Sequence, residues 1–204
     1  MHQRGHGGVP VMQGPLGRTL RHWQARMAVM LGQTEMALSV WDRLIEDFGP
    51  TPQWLGCRAH LLAQLGRTAP ALRDYAWLCG QPLAQACDWF NRGFLLEQTG
   101  QHQQACECFE TAVKLDPQLD RAWYGLGLCR VRLGQLEQAI DALTRNTQLQ
   151  PMSPHGWVQL ARIHEQRQEP EKVQKIILHL QGFEPKVAAE LMRETGISLK
   201  TGRA

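Results

Sequence analysis

The chain has 204 residues, of which 43% are hydrophobic and 20% charged, and its net charge is +3. That is enough apolar material for a packed core and argues against wholesale disorder. The charge is too small and too scattered for a polyanion binder, and no run of 18 apolar residues is present to span a membrane as a helix.

Residues 1–17 are rich in Gly and Pro and lack the continuous apolar stretch of a secretory signal, so they are expected to form a flexible N-terminal segment. A period then takes over. Glycines stand at 32, 66, 100 and 134, alanines at 37, 71, 105 and 139, and large apolar residues follow as Trp41, Tyr75, Phe109 and Leu143. All three columns repeat every 34 residues in one register. Each copy predicts two helices, for example over 87–99 and 102–115. Gly100 lies between them, where a left-handed cap is required and a side chain costs about 1 kcal/mol. Pro117 stops the second helix for lack of an N–H donor. Gly93 and Ala105 are small where the paired helices should cross, and Trp89 and Phe109 are expected to fill the space around them. One such pair cannot bury its own apolar face, so neighbouring pairs must stack. After Pro185, Val187, Ala188, Leu191 and Met192 share one helical face while Lys186, Glu190, Arg193 and Glu194 lie off it. That pattern predicts a capping helix starting near 185, with a loose tail to 204.

The period and its columns resemble the tetratricopeptide repeat. In residues 120–153 the resemblance is carried by Trp123, Leu126, Gly127, Gly134, Ala139, Leu143 and Pro151; in 86–119 by Trp89, Gly93, Leu96, Gly100, Ala105, Phe109, Ala112 and Pro117. Residues 154–187 match with Trp157, Leu160, Ala161, Val173 and Pro185, but Gln168 replaces the turn glycine. Residues 52–85 keep Ala59, Leu62, Gly66, Ala71 and Tyr75, with Leu55 in the tryptophan column. Residues 18–51 match least, through Ala25, Gly32, Ala37 and Trp41. The resemblance implies an all-α fold: a right-handed superhelical solenoid of about five 34-residue helix-turn-helix repeats, closed by a helix and tail over 188–204.

In that family the first helices line a concave groove in which ligands bind. Carried over residue by residue, the resemblance implies a partner-binding set of Phe90, Asn91, Phe94, Glu97, Arg121, Tyr124, Leu128, Arg132, Val158 and Arg162, with Gln53, Cys57, His60 and Gln64 at the corresponding positions of 52–85. Phe90 and Phe94 lie about a quarter-turn from the Trp89, Gly93, Leu96 stripe. They are expected either to pack between units or to floor a peptide groove with Tyr124 and Leu128. The Asn91 amide suits the main chain of an extended peptide, or a neighbouring helix. Some family members clamp a C-terminal carboxylate with basic residues; Gly56, His60 and Gly125 stand where parts of that clamp belong, so it is not expected here.

The six cysteines, at 57, 79, 87, 106, 108 and 129, read as reduced thiols in a cytoplasmic protein. No HExxH, P-loop, GxGxxG or GxSxG is present. The expected function is a non-catalytic protein–protein interaction adaptor or chaperone-like scaffold, binding a peptide or helix without cofactor or metal, nucleic acid or membrane. Substitution of Phe90 and Tyr124 by alanine is expected to remove capture and leave the melting curve nearly unchanged. The alternative is a homo-oligomeric assembly protein that docks through its degenerate first repeat; a Cys/His metal or thiol protein ranks third.

Overall fold

In the computed structural model residues 14–197 are described, and every regular element among them is an α-helix. The chain divides into two compact units, one ending at Gln81 and one beginning at Pro82. The first holds α1 (Pro15–Met30), α2 (Thr34–Phe48), α3 (Pro52–Gln64) and α4 (Thr68–Cys79). The second holds α5 (Ala86–Gln98), α6 (His102–Leu115), α7 (Asp120–Arg132), α8 (Leu136–Leu149), α9 (Pro154–Gln166), α10 (Pro170–Gln181) and α11 (Pro185–Thr195). None of these helices is long and apolar enough to cross a membrane.

The turn between paired helices is the same structure five times. The glycines at 32, 66, 100 and 134 take φ values of 71 to 79°, and Gln168 takes 58°. In each, two amides fold back on the helix just ended. For the first, Gln33 N–H donates to Ala28 O at 2.8 Å and Gly32 N–H to Val29 O at 3.0 Å. This left-handed cap satisfies carbonyls that the helix end leaves open. A Cβ on these glycines would meet nothing within 4 Å, so backbone conformation, not space, selects the residue.

Residues 1–13 of the expected flexible segment lie outside the described residues. Pro15 to Gly17 form the first turn of α1 instead, three residues ahead of the expected boundary at 18. Pro15 sits at the helix start, where its fixed φ fits and its missing N–H has no partner to lose. The tail from 198 likewise lies outside the described residues.

In the first unit Trp41, Leu44, Ala25, Ala37 and Ala59 are all buried. The Trp41 indole N–H donates to His22 Nδ1 at 3.2 Å, and the Gln53 amide lies 3.1 Å from His22 Nε2. Because an indole only donates, Nδ1 accepts and Nε2 carries the proton. Burial, with the Arg26 charge second, lowers the His22 pKa. Arg58 ties three helices: its guanidinium reaches the buried Asp74 at 2.7 and 2.8 Å and Asp42 at 2.6 Å.

In the second unit the small residues do what their positions require. A Cβ on Gly93 would stand 3.0 Å from the Phe109 ring, and one on Gly127 would stand 2.6 Å from Leu143. Residues 93 and 127 are 34 apart, as are 109 and 143, so one close helix crossing is built twice. The tryptophan column departs from expectation. Trp89, Trp123 and Trp157 are half-buried, not central. Trp123 and Trp157 donate their indole N–H to Pro117 O and Pro151 O at 3.0 and 2.9 Å, holding the preceding loop to the helix. An indole that must keep its N–H paired settles at the edge of a core.

Candidate functional site

The first helices of the second unit lie side by side, and the ten positions taken from the sequence fall on three of them: α5, α7 and α9. Contacts link the three in order. The Arg121 guanidinium of α7 lies 5.1 Å from the centre of the Phe90 ring on α5. Glu97 of α5 pairs with Arg132 of α7 at 3.0 Å. The rings of Tyr124 on α7 and His155 on α9 meet edge to face with centroids 6.4 Å apart.

Phe90 and Phe94 have different fates. Phe90 is half-buried; its ring centroid is 5.9 Å from that of the core residue Phe109 and 6.3 Å from that of Phe94, with which it stacks. Phe94 is 47% exposed. One ring therefore belongs mainly to the packing between helices and the other to the surface. Tyr124, Leu128 and Val158, at the corresponding positions of the next helices, are half-buried. Tyr124 and Val158 pack against the buried core built from α8 to α11.

The polar members are mostly engaged within the chain. Glu97 and Arg132 neutralise each other. Arg162 is held by the Glu194 carboxylate of α11 at 2.8 and 3.1 Å, which lowers the Glu194 pKa and raises that of Arg162. Arg162 thus fastens the terminal helix and does not stand free to orient a ligand. The half-buried Asn91 amide has no hydrogen bond to another described residue. The position corresponding to Asn91 one repeat later is Gly125, where a Cβ would stand 2.7 Å from Phe109; the amide is thus displaced there by the close seat of that ring.

Five of the six thiols are favoured in their protonated form. Burial raises the pKa of Cys57, Cys87, Cys106 and Cys108, and pushes the Cys129 thiol up to about 12. Among the described residues no three His, Cys, Asp or Glu side chains are grouped to hold a metal ion.

The first unit has its own opening. Cys57, His60 and Gln64 of α3 line a cavity of about 280 Å³ with Trp23, Met27 and Met30 of α1. The α1 residues were not singled out from the sequence, although their spacing was there to be read.

Family models of the tetratricopeptide repeat match residues 86–119 and 108–141. No curated protein sequence matches the chain. Among solved structures, a crystal structure of MamA protein is 14% identical with a TM-score of 0.77, covering 89% of this chain and 97% of its own. YrrB, described as a TPR protein with an unusual peptide-binding site, is 15% identical with a TM-score of 0.76, covering 89% and 93%. MamA 41-end from Desulfovibrio magneticus RS-1 is 21% identical with a TM-score of 0.73, covering 89% and 98%. At these identities the likeness is one of fold, an all-α helical solenoid.

Proposed function

We propose, from the match of residues 86–141 to tetratricopeptide-repeat models, that the chain is a non-catalytic protein-interaction adaptor or scaffold of that family. A peptide or helix of a partner protein lies on the first-helix face of α5, α7 and α9. The observation that carries this reading is Phe94, a large ring nearly half exposed, stacked on Phe90 and continued by the half-buried Tyr124, Leu128 and Val158. A surface helix keeps such a ring off its core stripe at a solvation cost, and contiguous exposed apolar surface marks interaction sites. Asn91 supplies the polar contact: a half-buried amide beside the rings with donor and acceptor both open to an extended main chain. The peptide-binding site ascribed to YrrB, a chain of the same fold, supports this class of partner.

The test is a selection from a displayed peptide library against the full chain, followed by titration of the selected peptide. Phe94→Ala should weaken binding by at least about 2 kcal/mol, as truncation of a true anchor does, and leave the melting curve unchanged. Phe90→Ala is a poorer probe than the sequence suggested. Its ring packs on Phe109, so removing it lowers stability as well as binding. A selected peptide that binds wild type and Phe94→Ala equally well sinks this reading.

A further inference from the structure

α1 is apolar on two sides. Its inner face buries His22, Ala25 and Ala28. Its outer face carries Leu16, Leu20, Trp23, Met27 and Met30, exposed by 81, 62, 52, 49 and 78%. The steps between them are 4, 3, 4 and 3 residues, the spacing of a seam that receives another helix. A surface helix of a globular domain ordinarily carries polar residues there. α11, the last described helix, does: its outer positions are Lys186, Glu190, Arg193 and Glu194, all exposed.

We propose that two copies of this chain pair through the outer faces of their α1 helices, antiparallel about a two-fold axis at Trp23. The stripe is nearly symmetric about that residue: Leu16 and Met30 stand seven residues to either side, Leu20 three before it and Met27 four after it. Reversing one helix sets Leu16 against the partner's Met30 and brings Leu20 within one residue of the partner's Met27, large beside large. A two-fold contact requires one patch to complement itself in this way. The antiparallel arrangement also opposes the helix dipoles favourably.

Charge points to the same occupant. The exposed positions flanking the seam are Thr19, Gln24, Arg26 and Leu31, with one charge among them. That charge, Arg26, is stacked on its own Trp23 at 4.8 Å. Arg18 lies over Phe48 and Arg21 pairs with Asp47, so neither borders the seam. Arg26 is the single cation beside it in each copy, so it lacks the row of cations that an anionic lipid surface selects. The exposed parts of the five side chains and Leu31 come to about 700 Å² per copy, or about 1,400 Å² per pair, within the span of stable interfaces. Trp23, Met27 and Met30 also line the cavity beside α3, so pairing closes that cavity.

The proposal stands on α1 alone and is independent of the face on α5, α7 and α9. It is tested by sedimentation equilibrium of the full chain from about 1 to about 100 µM, where mass should shift from monomer to dimer. Leu20→Glu combined with Met27→Glu changes exposed side chains only. It should weaken dimerisation at least about 100-fold while the helical melting curve is retained. For the register, Leu16→Cys protein mixed with Met30→Cys protein should cross-link between those two sites, and Leu16→Cys alone should not cross-link to itself at that site. A monomer across the whole range overturns the proposal, as does a dimer indifferent to the glutamate pair. Pelleting of a monomeric chain with phosphatidylserine–phosphatidylcholine vesicles, lost in the glutamate variant, assigns the stripe to lipid and overturns it too.

Discussion

Gln168 is the only described non-glycine residue with positive φ, and it stands where four other turns have glycine. A side chain held in the left-handed region costs about 1–2 kcal/mol. The surroundings account for how the turn forms nonetheless. Glu169, the next residue, gathers His164 at 2.6 Å, Lys172 at 3.1 Å and Arg167 at 3.3 Å, and its carboxyl pKa is lowered, first by His164 and then by Lys172. Gln168→Gly should therefore raise stability to urea by about 1 kcal/mol, net of the freedom glycine gains in the unfolded chain. Gly134→Ala, which creates the same strain without the ion cluster, should lower stability by a similar amount. Equal midpoints for Gln168→Gly and wild type would show that the turn carries no strain. This residue was legible in the sequence as a break in the glycine column, but the cluster beside it was not, since His164 and Glu169 meet only across a closed turn.

Helices were more legible than their surfaces. The second helices begin at Thr34, Thr68, His102, Leu136 and Pro170, always 34 apart, because one turn chemistry recurs at one spacing. α1 is the exception among the first helices: its three extra residues at the start belong to a Gly- and Pro-containing stretch that resembles a linker until Pro15 is recognised as a helix-starting residue. α11 is legible as an amphipathic helix, but its fastening is tertiary. Arg162 and Glu194 are 32 residues apart in sequence, and their bidentate pairing joins α9 to α11. Glu194 has a lowered pKa in the folded chain. Its contribution is therefore present above the unfolded carboxylate value, about 4.3, and lost as pH falls through the lower folded value. In Glu194→Gln, hydrogen exchange of the α11 amides should be faster than in wild type at neutral pH. The two proteins should converge as the pH is lowered below about 4.3. Identical α11 protection at pH 7 would show that the ion pair does not hold this helix.

At the scale of the molecule, two surfaces of different chemistry are proposed for two tasks. The face on α5, α7 and α9 mixes rings with an open amide and suits a peptide. The outer stripe of α1 is apolar and nearly symmetric about Trp23, and suits a second copy. The two share no residue, and substitutions at separate sites without common partners combine additively. Phe94→Ala should leave the monomer–dimer equilibrium within about twofold of wild type, and the Leu20→Glu, Met27→Glu pair should leave affinity for a selected peptide within the same factor. Measuring both constants in both variants checks this; cross-effects well beyond that factor would mean that dimerisation builds the peptide site.

The sequence by itself determined the repeat: its period, its turn residues, its helix pairs and the family they resemble. These are local properties, set by backbone conformation at a few residues and by the spacing of apolar side chains. Tertiary structure alone decided which apolar and charged residues were left over. Phe90 was half-buried against Phe109, Phe94 stayed at the surface, Arg162 was taken by Glu194, and the outer side of α1 was left bare. Such outcomes depend on neighbours tens of residues away, and a one-dimensional pattern records a residue's type without recording what arrives beside it.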